Sequence, residues 1–179
     1  MNLNEQPLSA DYKYRGRIIN LRVDTALLPN GSSATREVVE PPGGVCVAAL
    51  TEAGCLLFVR QFRYPYQKVL LELPAGKLDP GEDPLEAGKR ELREETGAEA
   101  ARYESLGELY PSPGYCGEII HLYAATGLTF GQMSPDEDEF LEVEKIPLEE
   151  AARMVLDNEI ADAKTQAAVL KVYCREKGL

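Results

Sequence analysis

The hydrophobic and polar positions of this chain follow two periodicities, one typical of strands and one typical of helices. Short runs rich in Val, Ile, Leu and Tyr, bounded by Gly, Pro and Asn, predict strands along most of the chain. Pro29-Asn30-Gly31 predicts a hairpin turn, because Asn-Gly tolerates a positive φ. The predicted strands are 12–19, 21–28, 35–40, 45–50, 56–60, 69–73, 103–110, 118–125 and 140–146.

Other segments carry helical signals. Asp83 suits an N-cap, Pro84 suits the first helical position, and Gly97 suits the residue after the end. The predicted helices are 84–96, 148–156 and 162–173. Many strands combined with one central helix and terminal helices predict an α+β domain with mixed sheet layers.

Composition and charge exclude several classes of protein. The 179 residues include 19 Lys and Arg against 30 Asp and Glu, a net charge of −11, and 44% of them are hydrophobic. The acid excess argues against a nucleic-acid partner, since such binding relies on Lys and Arg at the phosphates. The apolar runs are too short to span a bilayer, and the N-terminus does not resemble a secretory signal. The four cysteines form no CxxC pair, so we expect reduced thiols and a cytoplasmic protein without a membrane partner.

Three of the acidic residues share one helix face. At 100° per residue, Glu91, Glu94 and Glu95 fall within a narrow arc of the predicted helix. Like charges at these spacings repel, so the cluster is favourable only if a cation lies among the carboxylates. Oxygen ligands select hard cations, which predicts Mg²⁺ or Mn²⁺ rather than zinc. The alternative is a solvated helix in which Arg90 pairs with Glu86 or Glu94.

The helix and the loop before it resemble the signature of the Nudix hydrolase family. That signature is a Gly, five residues, a Glu, seven residues and then Arg-Glu-aliphatic-any-Glu-Glu-any-Gly-aliphatic. This chain supplies it, with Ala98 as a weak match to the last position, through Gly76, Glu82 and the run 90–98. The agreement at so many fixed positions is highly specific.

The resemblance implies both a fold and a metal site. The expected fold is the Nudix fold, in which mixed β-sheets are sandwiched between helices (α/β/α), here with additional N-terminal antiparallel strands. Glu91, Glu94 and Glu95 would be ligands of Mg²⁺ or Mn²⁺, and Glu82 an accessory outer ligand. Arg90 would orient the glutamates, and it and Glu94 are expected to be catalytic.

Residues outside this signature, which is called the Nudix box, resemble the ADP-ribose pyrophosphatase subfamily. Pro113 lies sixteen residues after Gly97, as does the proline that marks this subfamily. The runs 35–40, 59–63 and 71–77 are also similar to it. A lone Ser-Pro-Gly is otherwise an ordinary turn, so Pro113 gains its meaning as a substrate-binding residue from these neighbours.

The subfamily resemblance assigns further residues. A backbone carbonyl just before the box glycine, here that of Ala75, would bind metal. The late acidic run would supply a catalytic base, Glu137, and a further metal ligand, Glu139, although a solvated acidic loop and a shifted alignment remain open there. Arg36 and Arg63 are candidates for the diphosphate or the terminal ribose, because a guanidinium matches phosphate oxygens, while ordinary surface positions are the alternative.

The expected activity is Mg²⁺-dependent hydrolysis of ADP-ribose to AMP and ribose 5-phosphate. The metal ions would neutralise the diphosphate and lower the pKa of a bound water, and Glu137 would take its proton. One alternative is a Nudix pyrophosphatase for another nucleoside diphosphate derivative: a nucleotide-sugar, a dinucleoside polyphosphate or NADH. A non-catalytic nucleotide-sensing Nudix domain is a second alternative, but such domains usually lose box glutamates that this chain retains.

The break at Pro41-Pro42-Gly43-Gly44 suggests two parts. We expect an N-terminal β-hairpin lobe over 1–43 and a Nudix hydrolase domain over 44–179. In the subfamily that this chain resembles, the N-terminal strands commonly cross to a partner subunit. The resemblance therefore implies a homodimer formed through the N-terminal strands.

Overall fold

The computed structural model describes residues 2–136 and 139–179, and within them the chain divides into two compact units. The first contains the residues up to Gly43 together with Tyr110–Ile119. The second contains Gly44–Leu109 and Ile120–Leu179. The predicted parts 1–43 and 44–179 do not anticipate that Tyr110–Ile119 groups with the N-terminal residues. The roles assigned to those two parts stay a prediction.

The first unit is built on an antiparallel sheet with the order β1-β2-β3, comprising β1 (Gln6–Arg15), β2 (Asn20–Leu27) and β3 (Ser33–Glu40). The turn between β2 and β3 contains Gly31 at φ 84°, and its N–H donates to the Leu28 carbonyl at 2.9 Å. The predicted Asn-Gly turn is therefore confirmed. β1 covers Gln6–Arg15, whereas the predicted strand is 12–19. The prediction missed the first residues of β1 because they mix polar and apolar side chains without a strand pattern. Every residue of β1 is exposed.

The second unit contains β4 (Gly44–Ala49), β5 (Cys55–Arg63), a 3-10 turn (Tyr64–Tyr66), β6 (Lys68–Glu72), β7 (Ala75–Lys77), α1 (Pro84–Thr96), β8 (Ala98–Leu109), β9 (Ile120–Phe130), β10 (Leu141–Pro147), α2 (Leu148–Leu156) and α3 (Ala163–Lys177). One sheet has the order β7-β4-β9-β8, in which β4 and β9 are parallel and the other neighbours antiparallel. The other sheet has the antiparallel order β10-β5-β6.

The central strand β4 is buried on both faces and separates two apolar clusters. Cys46 and Ala48 belong to a cluster with side chains of β5, β6, β9, α2 and α3. Val47 and Ala49 belong to a second cluster with Leu92 of α1. A strand covered on both faces is apolar at successive positions, which explains why this segment shows no alternation. Helices contact β4 on both sides, α1 within one cluster and α3 within the other.

The predicted helix over 84–96 is confirmed at both ends by its caps. Asp83 Oδ1 accepts hydrogen bonds from the backbone N–H of Leu85 at 2.9 Å and of Glu86 at 3.2 Å. Gly97 ends the helix in the left-handed region, at φ 68°, where glycine is favoured. The α+β class with N-terminal antiparallel strands is likewise confirmed.

The sequence pattern missed the short strand β7 and the start of β8. Ala75-Gly76-Lys77 carries no strand signal of its own, and it is a strand because its backbone pairs with β4. β8 begins at Ala98 rather than at Tyr103, because pairing with β9 extends the strand past the polar residues that hide its pattern. Among the described residues, no helix is both long and apolar enough to cross a membrane.

Candidate active site

The Arg90 guanidinium ties the loop before α1 to the acidic face of that helix. Its Nε and Nη2 donate to the two carboxylate oxygens of Glu82 at 3.0 and 3.1 Å. Its Nη1 donates to Glu91 Oε1 at 2.8 Å and to Glu94 Oε2 at 3.0 Å. The hydrogen bond to Glu82 is the largest effect on the pKa of Arg90, which is raised, so the guanidinium stays charged. Arg90 therefore holds three box glutamates at once, Glu82, Glu91 and Glu94.

The Glu91 carboxylate lies against the backbone of β7. A Cβ placed on Gly76 would lie 2.0 Å from Glu91 Cδ and 2.0 Å from its Oε1, so a side chain at that position would displace the carboxylate. Burial raises the pKa of Glu91, Arg90 opposes this, and the nearby carboxylates of Glu139 and Glu94 raise it further. The first glycine of the box, Gly76, therefore provides the space that the Glu91 carboxylate occupies.

Glu95 is the most deeply buried of the box glutamates. Its Oε2 accepts a hydrogen bond from the Ala75 backbone N–H at 3.0 Å. Burial raises the pKa of Glu95 to about 8, and the charges of Glu91 and Glu139 add to the increase, whereas the Ala75 hydrogen bond and the Arg63 charge oppose it. Ionised Glu95 is therefore costly unless a further cation lies beside it.

The box glutamates and Glu139 combine oxygen donors with uncompensated negative charge. Within residues 2–136 and 139–179, no three His, Cys, Asp or Glu side chains converge on one point, and Arg90 contacts three of the box glutamates. The mutual repulsion of Glu91, Glu95 and Glu139 nevertheless marks a place where added positive charge is favourable. Because all the donors are oxygen atoms, the residues fit a hard divalent cation.

A second ionic cluster lies immediately before β7, and the sequence reasoning missed it. Glu72 is buried at the end of β6. Arg63 donates to both of its oxygens, from Nε at 2.6 Å and from Nη2 at 2.8 Å, and Lys164 Nζ donates to Oε2 at 2.5 Å. Burial acts to raise the pKa of Glu72, but Arg63 and Lys164 outweigh it and lower the pKa to about 2. The available signal was a single glutamate within the apolar run 69–73.

The structure places Arg63 in this cluster, with its guanidinium engaged by Glu72. Its assignment to substrate binding stays a prediction. Arg36 and Pro113, which are predicted to bind substrate as well, both belong to the first unit. They line one cavity of about 410 Å³ in that unit, and Arg36 donates to the two Glu5 carboxylate oxygens at 2.9 and 2.6 Å.

The late acidic run is described only in part. Glu137, the predicted base, lies outside the described residues. Glu139 is described, and its charge raises the pKa of both Glu91 and Glu95, as expected of a carboxylate near a shared metal position. The predicted catalytic and metal-binding roles stay predictions, now with the placement described above; they concern Ala75, Arg90, Glu91, Glu94, Glu95 and Glu139.

Comparisons with known proteins identify the family. Residues 40–169 match the NUDIX domain, and residues 5–39 match the nucleoside diphosphate sugar hydrolase N-terminal domain. The chain is 39% identical over 177 residues to the ADP-ribose pyrophosphatase of Bacillus subtilis (strain 168), which covers 98% of this chain and 96% of that protein. It is 41% identical over 174 residues to the methanol dehydrogenase activator of Bacillus methanolicus, which covers 96% and 94% respectively.

The fold is similar to that of a solved structure, an ADP compounds hydrolase. The TM-score is 0.86 over 99% of this chain and 97% of the other, at 24% sequence identity, so this likeness concerns the fold. The box residues lie together around α1 and β7, and the NUDIX match extends over most of the second unit. The chain belongs to the Nudix family.

Proposed function

We propose that this protein hydrolyses ADP-ribose to AMP and ribose 5-phosphate in a Mg²⁺-dependent reaction. The observation that carries the proposal is the burial of Glu91 and Glu95 against the Ala75–Gly76 backbone, in a cluster whose charges favour an added cation. The ADP-ribose pyrophosphatase of Bacillus subtilis, similar over nearly the full chain, supports the choice of substrate.

The family uses a divalent metal, and the donors present here favour Mg²⁺ or Mn²⁺. Glu91, Glu94, Glu95, Glu139 and the Ala75 carbonyl would hold it. When bound, a divalent cation supplies charge neutralisation for the diphosphate and lowers the pKa of a bound water. The protein's own groups set the geometry, since Arg90 orients Glu91 and Glu94 while Gly76 leaves room for the Glu91 carboxylate.

The reaction breaks one phosphorus–oxygen bond of the diphosphate bridge. A water oxygen joins one phosphorus, and the bridging oxygen leaves with the other phosphate. Glu137 is the proposed acceptor of the water proton. The products are two phosphate monoesters, AMP and ribose 5-phosphate.

The cavity of about 410 Å³ in the first unit supports a role for that unit in recognition. It is lined by a guanidinium, from Arg36, and by the turn that contains Pro113. A guanidinium suits phosphate or ribose oxygens, and it is here held in place by Glu5. This supports substrate binding by Arg36 and Pro113.

A nucleotide-sugar is the second candidate substrate. The match of residues 5–39 to the nucleoside diphosphate sugar hydrolase N-terminal domain favours it. Both candidates contain the same diphosphate bridge, so the chemistry at α1 is shared and only the group beyond the second phosphate differs.

A substrate panel tests the proposal. The purified protein is incubated with ADP-ribose, a nucleotide-sugar, a dinucleoside polyphosphate and NADH, with Mg²⁺ or with a chelator, and phosphatase then releases phosphate from monoester products. We expect the highest kcat/KM for ADP-ribose, and no release with the chelator. A preference for the nucleotide-sugar would replace the substrate, and hydrolysis that persists in the chelator would overturn the metal-dependent mechanism.

The same proposal includes a homodimer formed through the N-terminal strands. β1 is an edge strand of its sheet, and it is exposed on both faces, including the apolar side chains of Leu8, Tyr12 and Tyr14. Such a strand is a natural pairing surface, and covering it removes apolar area from water. Sedimentation should give a dimer that Leu8→Lys weakens. The matched control Leu156→Lys, at an exposed leucine of α2, should leave it unchanged, and a monomeric parent protein would exclude the dimer.

A cytoplasmic location, without nucleic-acid or membrane partners, completes the proposal. Each of the four cysteines, all of which lie in the described ranges, is a free thiol. Free thiols are typical of proteins in a reducing compartment. The net charge of −11 supports the absence of a nucleic-acid partner.

A further inference from the structure

The chain crosses from one sheet of the second unit to the other between β6 and β7, and three backbone groups at this crossing have individual hydrogen-bond partners. The Leu73 N–H donates to Thr165 Oγ1 at 2.9 Å. The Val47 N–H donates to the Pro74 carbonyl at 2.9 Å. The Ala75 N–H donates to Glu95 Oε2 at 3.0 Å. Pro74 itself has no N–H and needs no acceptor.

The first of these bonds comes from a distant part of the sequence. β6 ends at Glu72 and β7 begins at Ala75, so Leu73 belongs to neither ladder and its N–H lacks a strand partner. Leu73 and Thr165 are both fully buried. A buried N–H without an acceptor is costly, and the threonine hydroxyl supplies the acceptor that the sheets do not.

The first turn of α3 fixes Thr165 in turn. Asp162 Oδ2 caps the helix by accepting from the Thr165 N–H at 2.9 Å. Lys164 Nζ bridges Asp162 Oδ1 at 3.0 Å and Glu72 Oε2 at 2.5 Å. Glu72 and Leu73, the two residues before Pro74, are therefore both bonded to one helix N-terminus. The turn that leads to Ala75 is held by α3 on one side and by α1 on the other.

We propose that Thr165 is a positioning residue for the metal-binding turn, and that it acts through the Leu73 N–H on the Ala75–Gly76 backbone. The inference rests on the proposed function, because it assumes that this turn lies at a divalent cation. A shift of the turn would move the Ala75 N–H away from Glu95 and the Gly76 surface away from Glu91. Both carboxylates would then lose the positions that the cation requires.

The test compares two threonines whose hydroxyl oxygens each accept a backbone N–H. Thr165→Val keeps the shape of the side chain and removes the acceptor, whereas Thr165→Ser keeps the hydroxyl. The matched control is Thr51→Val, since Thr51 Oγ1 also accepts a backbone N–H, that of Cys55 at 3.1 Å, in the turn between β4 and β5. Mn²⁺ binding without substrate is measured by electron paramagnetic resonance, together with kcat and KM.

Thr165→Val should weaken Mn²⁺ binding by about tenfold, within the range found for groups that support metal ligands. Its kcat at saturating ADP-ribose and limiting Mn²⁺ should fall while KM changes little. Thr165→Ser should recover most of the affinity, and Thr51→Val should leave it unchanged. Equal Mn²⁺ affinities for Thr165→Val and Thr51→Val would overturn the inference.

A measurement on the unsubstituted protein covers the case in which Thr165→Val does not fold. If the Leu73–Thr165 hydrogen bond and the cation support each other, then saturating Mg²⁺ must slow amide exchange at Leu73. The slowing at Leu73 should exceed that at Cys55, whose N–H is bonded to Thr51. Equal slowing at both amides, or none at Leu73, would contradict the coupling.

Glu95→Gln separates this inference from the proposed function. If Glu95→Gln abolishes Mn²⁺ binding and Thr165→Val leaves it intact, the site is correct and the positioning role is wrong. If Glu95→Gln binds Mn²⁺ as tightly as the parent protein, the proposed metal site fails, and the inference fails with it.

Discussion

Two glutamates on either side of the turn before β7 are equally buried and behave in opposite ways. Glu72 and Glu95 are each about 1% exposed. Glu72 receives hydrogen bonds from Arg63 and Lys164, and its pKa is lowered to about 2. Glu95 receives one backbone hydrogen bond, and its pKa is raised to about 8.

The difference distinguishes a carboxylate that stabilises the fold from one that is suited to bind a cation. Glu72 is compensated by cations of its own chain, so its ionised form belongs to the folded protein. Glu95 lacks a comparable partner among the described residues, and its neighbours Glu91 and Glu139 add negative charge. A buried carboxylate surrounded by this excess of negative charge is suited to bind a cation from solution.

Neutralising Glu95 should cost activity without costing stability. Glu95→Gln keeps an acceptor for the Ala75 N–H but removes the charge, so metal-dependent kcat should fall by about a thousandfold or more. The urea midpoint should stay the same or rise, because a carboxyl whose charged form burial disfavours is replaced by a neutral amide. Glu86→Gln on the exposed side of the same helix is the control and should retain turnover. Metal-dependent activity in the Glu95→Gln protein would end the assignment.

Neutralising Glu72 should lower the free energy of unfolding, in contrast to neutralising Glu95. Glu72→Gln leaves the half-buried Arg63 without its anionic partner and the largely buried Lys164 with Asp162 alone. Breaking such a pair costs about 3 kcal/mol of unfolding free energy. Urea denaturation followed by circular dichroism measures this loss. A Glu72→Gln protein as stable as the parent would mean that the cluster contributes nothing, and the contrast with Glu95 would disappear.

Acid should remove the same contribution from the unsubstituted protein. The folded-state pKa of Glu72, about 2, lies below its usual value of 4.5. The stabilisation is therefore fully present above about pH 4.5 and is lost as the pH falls through 2. The shift corresponds to about 3 kcal/mol at most. The difference in unfolding free energy between the parent and Glu72→Gln should shrink from pH 5 towards pH 2, and a difference that is constant over this range would contradict the lowered pKa.

The sequence predicted one side of this comparison and not the other. Asp83, Pro84 and Gly97 predict the helix over 84–96. The helical spacing of Glu91, Glu94 and Glu95 indicates a site on one of its faces. Capping and helical periodicity depend only on residues that are close in the sequence, so the sequence alone reveals them. The helix and the grouping of its glutamates on one face could therefore be predicted from the sequence.

The Glu72 side depends on contacts that spacing does not reveal. Lys164 and Thr165 reach the turn from a helix near the C-terminus, and β7 exists only because β4 pairs with it. Arg63 illustrates the limit, since a guanidinium that matches phosphate oxygens matches a buried carboxylate equally well. Which of the two it meets is decided by tertiary packing, here the burial of Glu72 beside it.

The smallest effect comes from a second glutamate that also pairs with an arginine of β5. Glu144 of β10 accepts hydrogen bonds from Arg60, as Glu72 does from Arg63, but 37% of its side chain is exposed against 2% for Glu72. Water solvates both partners of the exposed pair once it is broken, so Glu144→Gln should cost about 0.5 kcal/mol. Raising the salt concentration should reduce that cost further, whereas the cost of Glu72→Gln should persist. Equal losses of unfolding free energy for Glu72→Gln and Glu144→Gln would contradict this explanation. They would mean that the arginine contact, and not burial, determines the cost of each substitution.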